Sequence, residues 1–324
     1  MTNNQTAIFI FTKDRPLTLS KTLASIQTNS HSKYVIDDSV SSDNQESVSK
    51  LCKQYSNCNY LGKEQFKKFV SENKIESSKF NFLLRELGST EWNLGYARNF
   101  ALLYSKSIHA NKVLFMDDDI QVPNLKLIDD LFQSIKDFQF VGANITGLVD
   151  DSALGHIATD LGIFNERMLS GGFMVFNPNA IDQYFLNNYN EDWIWLFLQL
   201  QGKEYLQTGE VFQELSNPLA DFQKKILFQE HGEIALDGIL NLVKEGSYGS
   251  LVELSFWRRM LDERREYLSV LSEKAKEKSM SEYIEIIDWV MKHSTNLKAE
   301  TFANLFEKYF ANRVLFTSVF KFLP

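Results

Sequence analysis

The chain has 324 residues, a net charge of −8 at neutral pH, and 44% hydrophobic residues that include 26 phenylalanines. This length allows one large domain or two ordinary ones, with a sizeable aromatic core. The acidic balance argues against a nucleic-acid-binding scaffold, which would need basic groups for phosphate contacts. No stretch approaches about 18 uninterrupted apolar residues, so we expect no integral membrane segment.

Two features of the sequence predict a cytoplasmic protein. The amino terminus has neither a basic segment nor a long apolar run, so it does not resemble a secretory signal peptide. The two cysteines, Cys52 and Cys58, lie in a polar, lysine-rich segment without a CxxC spacing. We therefore expect free thiols in a reducing compartment.

Predicted strands and helices alternate along the first two thirds of the chain. Short apolar runs predict strands at residues 7–11, 34–36, 113–116, 140–143, 173–176 and 211–212. The weak pattern of residues 60–87 reads as helical and does not place a third strand, and residues 147–165 are predicted to form a loop. This alternation is typical of an α/β fold with a mostly parallel central sheet.

The character of the sequence changes after residue 235. Long amphipathic stretches then predict three to five helices, with apolar positions at helical spacing such as Leu254, Trp257 and Leu261. We therefore predict two domains, an α/β domain at residues 1–235 and a C-terminal helical region at residues 236–324.

Three consecutive carboxylates follow the predicted strand at residues 113–116. Asp117, Asp118 and Asp119 would emerge at the carboxyl end of that strand, where open α/β sheets bind their ligands. Adjacent carboxylates repel one another, and a divalent cation such as Mg²⁺ or Mn²⁺ would offset the repulsion. A strand that ends in a solvated acidic turn is the alternative.

Five segments, in this order, resemble those of GT-A fold nucleotide-sugar glycosyltransferases, particularly the large inverting family 2. They are Ile10–Pro16, Val35–Ser39, Asn93–Asn99, Asp117–Asp119 and Glu191–Asp192. The resemblance covers roughly residues 6–235 and implies a GT-A domain followed by the C-terminal helices. It also implies a metal-dependent enzyme that moves a sugar from a UDP- or GDP-sugar to an acceptor hydroxyl.

The Asp117–Asp119 segment is similar to the DxD motif of these enzymes. The resemblance implies that one carboxylate binds Mn²⁺ or Mg²⁺ and that another contacts the donor ribose. We favour Asp117 and Asp119 as metal ligands, while a pair shifted onto Asp118 stays open. Many GT-A enzymes add a late histidine to the metal site, which here would be His231. An exposed loop histidine is the alternative.

The first two segments are expected to bind the donor nucleotide. Thr12 and Arg15 follow the first strand and could contact the base and the phosphates. Asp38 follows the second strand, and the resemblance implies that it accepts a hydrogen bond from the base. A helix cap explains Asp38 equally well, and a surface ion pair explains Arg15 nearly as well.

The third segment resembles the NxGxxxARN motif of the family. Asn93 and Gly95 would lie next to the donor, with glycine letting the backbone approach it. Arg98 could bind a phosphate or the DxD carboxylates through its fork of donors. Gly172 resembles the flexible loop that shapes the sugar pocket, although a tight turn between strands explains it equally well.

Asp192 matches the aspartate that takes the proton from the acceptor hydroxyl in inverting enzymes. The alternative is an acidic residue at a helix start, which the helix dipole favours. The acceptor could be a glycan, a lipid-linked molecule, a protein or a small molecule, and the C-terminal helices could form a homo-oligomer.

Two other functions compete with glycosyl transfer. A non-catalytic carbohydrate-binding or assembly protein could keep a GT-A body and use its C-terminal helices as the working part. A haloacid-dehalogenase-type phosphohydrolase also places DxD after a strand. That class usually has Thr or Val at the position that Gln121 occupies here.

Overall fold

The computed structural model describes residues 5–73, 75, 93–147, 152–163, 168–201, 203–214, 217–243 and 247–323. The strands are β1 (Thr6–Thr12), β2 (Ser32–Asp37), β3 (Cys58–Leu61), β4 (Lys112–Asp117), β5 (Ile120–Gln121), β6 (Phe140–Thr146), β7 (Phe173–Phe176) and β8 (Leu206–Gln213). The helices of the α/β part are α1 (Pro16–Ser25), α2 (Ser42–Cys52), α3 (Lys63–Glu72), α4 (Leu94–Ser107), α5 (Lys126–Ser134), α6 (Ala153–Asp160) and α7 (Glu191–Leu200). The helices α8 (Phe222–Val243), α9 (Leu254–Glu277), α10 (Ser281–His293) and α11 (Ala299–Phe322) follow, with short 3₁₀ turns between elements.

The described strands form one sheet in the order β3-β2-β1-β4-β7-β6-β8-β5. β1 pairs in parallel with β2 and β4, and β2 with β3, whereas β7 runs antiparallel to both β4 and β6. The predicted α/β fold with a mostly parallel sheet is confirmed. The apolar runs of β1 and β4 are buried because helices cover both faces of the sheet.

The register of the sheet brings three strand ends to one edge. Phe11 of β1 pairs with Asp117 of β4, and Thr12 pairs with Asp37 of β2. The residues that follow these strands therefore meet at the carboxyl edge of the sheet, as the strand pattern predicts.

Two local predictions need correction. A third parallel strand exists as β3, but it has four residues with the sequence CNYL, of which Leu61 alone is buried, so it carries no apolar run. The segment predicted as a loop at residues 147–165 contains α6, which Ser152 caps by accepting a hydrogen bond from the Gly155 N–H at 2.9 Å. Its helical apolar face is only two turns long, which weakens the sequence signal.

The C-terminal helices share one hydrophobic cluster with the sheet and its helices. Tyr309 of α11 stacks on Tyr184 with a ring-centroid separation of 4.7 Å, and its hydroxyl donates to Gln183 Oε1 at 2.8 Å. The predicted helical region is confirmed. The predicted division at residue 235 stays a prediction, and α8 runs continuously across it. Within the described ranges, no helix is long and apolar enough to cross a membrane.

Candidate active site

Asp118 is the central residue of the three carboxylates, and the fold itself uses it. Its side chain is fully buried, Thr12 Oγ1 donates to Oδ2 at 2.6 Å, and the Arg15 guanidinium contacts Oδ1. Burial raises the pKa of Asp118 to about 7, although Arg15 opposes this shift. Thr12 and Arg15 thus fix the acidic segment, and their predicted contacts with the base and the phosphates stay predictions.

Asp117 and Asp119 flank Asp118 and stay partly open to solvent. Their side chains are 24% and 12% exposed. Arg98 Nη2 lies 3.3 Å from Asp117 Oδ1, and Arg15 Nη1 lies 3.2 Å from Asp119 Oδ2. Burial raises the pKa of both carboxyl groups, and the charge of Asp119 raises the pKa of Asp117 further.

This donor set fits a divalent cation. Asp117 and Asp119 are close enough for mutual repulsion, and both have accessible carboxylates. Mg²⁺ in nucleotide enzymes is commonly held by one or two carboxylates together with substrate phosphates. In the part of the chain that the structure describes, no group of three or more His, Cys, Asp or Glu is arranged to hold a metal. Asp117 and Asp119 keep accessible carboxylate surface, whereas Asp118 is fully buried.

His231 makes its described contacts with residues other than this pair. It belongs to α8 and not to a loop, its ring stacks on Phe302 at 4.7 Å, and Nδ1 lies 2.8 Å from Asn188 Oδ1. Burial lowers the pKa of His231. Among the described residues, His231 does not form a group of metal ligands with Asp117 and Asp119, and its ring packs against Phe302 of α11.

Arg98 is a buried cation held by aromatic rings and carboxylates. Its guanidinium carbon lies 5.6 Å from the Phe11 ring centroid and 5.8 Å from that of Phe185. Nη1 lies 3.0 Å from Glu191 Oε1 and 3.8 Å from Asp192 Oδ2. Burial opposes the charged form, but the nearby carboxylates outweigh it and raise the pKa of Arg98. The side chain therefore stays charged at the centre of the site.

The glycine turn before β7 packs directly against these charged groups. The Gly171 N–H donates to Asp192 Oδ2 at 2.7 Å, and Ser170 Oγ donates to the same oxygen at 3.2 Å. A Cβ added at Gly171 would lie 2.4 Å from Arg98 Nη1, and one at Gly172 would lie 3.0 Å from Asp117 Oδ2. A Cβ at Gly171 would force the neighbouring side chains to move, whereas one at Gly172 would displace Asp117 by only a few tenths of an ångström. The turn joins Asp117, Arg98 and Asp192.

Asp38 lies next to Thr12, because its backbone N–H donates to the Thr12 carbonyl oxygen at 2.9 Å. Lys13 Nζ is 3.2 Å from Oδ2 and Lys63 Nζ is 3.8 Å from Oδ1. Oδ1 is buried and accepts no hydrogen bond from the described residues. Asp37, by contrast, accepts from the Tyr60 hydroxyl at 2.9 Å. Asp38 thus fits the acceptor predicted for an imide N–H of a nucleotide base.

Asn93 and Gly95 have roles within the protein. Asn93 Oδ1 accepts from the Tyr96 N–H at 3.1 Å and caps α4. A Cβ at Gly95 would lie 2.2 Å from the Leu186 carbonyl oxygen, so the close backbone approach that we predicted is made to the chain itself. Contacts of Asn93 and Gly95 with a donor stay predictions.

Three residues of the site were not predicted to act there. Glu191, which was named as part of the Glu191–Asp192 segment but was given no role of its own, pairs with Arg98, and its burial raises its pKa to about 8. Gln213 Nε2 donates to Asp119 Oδ1 at 3.3 Å from the end of β8, and Ser170 contacts Asp192. The position of Glu191 next to Asp192 could have predicted its place in the site. The sequence around Gln213 and Ser170 contains no motif that indicates a role in the site.

The sheet topology and the paired carboxylates at its edge define a nucleotide-sugar glycosyltransferase of the GT-A class. The family model described as "Glycosyl transferase family 8" matches residues 7–205, and the chain belongs to this family. Its members are nucleotide-sugar-dependent hexosyltransferases. The predicted fold and enzyme class are confirmed, and the particular resemblance to family 2 is corrected to family 8. Four of the five segments that carried the family 2 resemblance were assigned to donor or metal binding, and only Glu191–Asp192 was assigned to the acceptor.

Remote structural similarity accompanies the family match. A mannosyltransferase from Pyrobaculum calidifontis, solved with GDP-Man and Mn²⁺, shows 9% identity and a TM-score of 0.49 over 97% of this chain and 87% of that one. Mouse xyloside xylosyltransferase 1 in its apo form shows 11% identity and a TM-score of 0.30 over 55% of this chain and 69% of that one. No curated protein matches the chain by sequence.

Proposed function

We propose that the protein transfers a hexose from a UDP- or GDP-sugar to an acceptor hydroxyl and that Asp117 and Asp119 hold the divalent cation. One observation carries the assignment of the ligands: Asp118 is buried and bonded by Thr12 and Arg15, whereas its two neighbours keep exposed carboxylate surface. The base identity and the acceptor class stay predictions.

Three side chains of the protein would bind the donor. Asp38 would accept from the base through Oδ1, which is buried and has no hydrogen-bond partner in the described residues. Arg15 and Arg98 lie beside the carboxylates that would face the diphosphate, and their charges would stabilise the leaving group. A bound cation would add Lewis-acid stabilisation of the same negative charge.

We further propose that the reaction retains the anomeric configuration, because family 8 enzymes are retaining. The carboxylate of Asp192 is held at Oδ2 by Gly171 and Ser170 and lies next to the buried charge of Arg98. In this proposal Asp192 stabilises positive charge at the anomeric carbon. The inverting reaction with Asp192 as general base, which the family 2 resemblance implied, is the alternative.

The first test measures release of nucleoside diphosphate from a panel of UDP- and GDP-sugars by the full chain, with Mn²⁺ and with a chelator. We expect release that depends on the metal with at least one donor. Asp119→Asn should reduce it on the order of 100-fold, in the range for losing a preorganised charge-stabilising group. The matched control is Asp43→Asn, which removes an exposed carboxylate on α2. Equal release by Asp119→Asn and the control variant would refute the proposed metal site.

The second test determines the configuration of the sugar by proton NMR, before the product mutarotates. Hydrolysis of the donor is sufficient, so no acceptor has to be known. Retention gives a first-formed sugar with the same anomeric configuration as the donor. An inverted product would overturn the retaining mechanism and would restore Asp192 as the candidate base.

A further inference from the structure

A second cleft lies at the end of the sheet opposite to Asp117. It encloses about 700 Å³ between α11, the segment before β6 and the segment after β7. Asn177 in its wall directly follows Phe176, which pairs with Val113 at the start of β4. Asp117 lies four residues after Val113, a distance of roughly 13 Å along the strand. The cleft is therefore separate from the candidate active site.

Four lysines line this cleft, and their positive charge is concentrated there. Its lysines are Lys106, Lys136, Lys203 and Lys321. Within the described ranges none of them has a carboxylate partner, whereas many lysines elsewhere do, namely Lys13, Lys21, Lys50, Lys63, Lys67, Lys68, Lys126 and Lys224. In a chain with a net charge of −8, such a concentration of free ammonium groups favours an anionic ligand.

The two acidic residues of the cleft do not cancel this charge. Asp182 already contacts the Arg313 guanidinium of α11, and Asp137 is exposed. Lys106 is the innermost cation: its Nζ lies 2.5 Å from Asn179 Oδ1 and 5.2 Å from the Phe320 ring centroid. Burial lowers the pKa of Lys106, and a bound anion would favour its charged form.

Amides and one aromatic ring line the rest of the wall. The amides are Gln139, Asn177, Asn179, Gln199 and Gln201, and Phe138 is half-buried beside them. Both ends of the Gln199 amide bond within the chain, and the Oδ1 atoms of Asn177 and Asn179 also accept from it, which leaves their Nδ2 groups and the amides of Gln139 and Gln201 for a ligand. Gln139 Oε1 is buried and has no hydrogen-bond partner among the described residues. An amide presents both a donor and an acceptor, which is the pair that a sugar hydroxyl needs. A simple inorganic anion would require only the lysines.

We propose that this cleft binds an anionic saccharide, that is, a sugar or short glycan carrying a phosphate, sulfate or carboxylate group. The lysines would bind the anionic group, the amides would bind the hydroxyls, and Phe138 would face the apolar side of a sugar ring. The volume lies within the usual range of ligand pockets, about 300–1,000 Å³. The polar wall does not suit an apolar ligand.

The test is calorimetric titration of the full chain with four probes: glucose 6-phosphate, glucuronate, glucose and inorganic phosphate. We expect at least one of the two charged sugars to bind about tenfold more tightly than both glucose and phosphate. The double variant Lys136→Gln/Lys203→Gln removes two exposed charges and should weaken that binding about tenfold or more. Lys50→Gln/Lys67→Gln, on exposed positions of α2 and α3, is the matched control.

Three results would overturn the proposal. The first is that the two double variants bind the charged sugars with equal affinity. The second is that neither charged sugar binds more tightly than phosphate. The third is that a nucleoside diphosphate displaces the charged sugar. The last would place the probe in the donor site. Because the Lys136/Lys203 variant leaves Asp117 and Asp119 intact, its metal-dependent nucleotide binding should equal that of the parent protein. Failure of this proposal is thus distinguishable from failure of the proposed function.

Discussion

Arg98 and Glu191 form the most deeply buried ion pair of the candidate active site. Arg98 also lies near Asp117 and Asp192, so one cation faces three carboxylates. Burial of Glu191 raises its pKa to about 8, although Arg98 opposes that shift. Protonation of Glu191 therefore reduces the electrostatic repulsion among the three carboxylates around Arg98.

This pKa predicts a pH dependence of stability. The folded protein holds the Glu191 proton more tightly than the unfolded chain, whose glutamates titrate at about 4.3. The contribution is fully present below that value and is lost as the pH rises toward 8. Between pH 5 and pH 8, the free energy of unfolding should fall by on the order of 3 kcal/mol more in the parent than in Glu191→Gln.

Urea denaturation of both proteins at the two pH values measures the difference. Comparing the two proteins removes contributions from groups that titrate in both. Identical pH profiles for the parent and Glu191→Gln would show that Glu191 is ionised throughout, and the assigned shift of its pKa would then be wrong.

At the scale of elements, the turn at residues 170–172 links the carboxyl edge of the sheet to α7. Gly171 donates its N–H to Asp192, and its missing side chain leaves room for the Arg98 guanidinium. The backbone of Gly171 thus fixes the positions of both the Arg98 guanidinium and the Asp192 carboxylate.

Gly171→Ala should impair activity more than stability. The added Cβ would lie 2.4 Å from Arg98 Nη1 and 2.6 Å from Asp192 Cβ, so both side chains must shift. We expect donor turnover to fall on the order of 100-fold, because small misplacements of active-site groups are costly. Gly249→Ala is the control, since its nearest atom would be 3.8 Å away. Equal turnover of the two variants would contradict the role given to this turn.

The sequence predicted elements whose signal is local and missed those whose stability depends on distant contacts. The apolar runs of β1 and β4 are visible directly, and so is the acidic segment behind β4. β3 has no such run, because only one of its residues is buried. The sequence allowed His231 to be a metal ligand. The contact of its ring with Phe302 depends on how α8 packs on α11, which the sequence does not reveal.

The same limit applies within the site. Asp117, Asp119, Arg98 and Asp192 were named from motifs. In the structure Arg98 contacts Asp117 and Asp192, whereas Asp119 contacts Arg15. Choosing between the three aspartates needed side-chain burial, which adjacent identical residues cannot reveal in a sequence. The contact of Gln213 with Asp119 joins residues 94 positions apart and had no signal at all.

At the scale of the whole molecule, the C-terminal helices and the sheet domain share a core. Trp257 of α9 stacks on Phe306 of α11 at 5.5 Å, and a Cβ at Gly238 of α8 would lie 2.4 Å from the Trp257 ring. α8 itself crosses residue 235 without interruption. We therefore expect the chain to unfold as one cooperative unit.

Phe306→Ala tests this expectation. Phe306 is fully buried, so its truncation should lower the free energy of unfolding by about 3–5 kcal/mol. Val314→Ala, on the same helix but 67% exposed, should have little effect. Calorimetry should show a single transition that moves to lower temperature in Phe306→Ala. Two transitions, with only one moved by the substitution, would support separate domains divided near residue 235 instead.

The reversed direction of β7 constrains how this chain can change in evolution. Gly172 lies just before the strand at the active-site edge, and Asn177 lies just after it at the lysine-lined cleft. The strand between them has four buried residues. All four pair with β4, and Met174, Val175 and Phe176 also pair with β6. An insertion or deletion of one residue would turn its side chains to the opposite faces of the sheet. Insertions and deletions are therefore expected in the surrounding loops. The number of residues from Gly172 to Asn177 should stay constant, which keeps the distance between the active-site edge and the lysine-lined cleft constant.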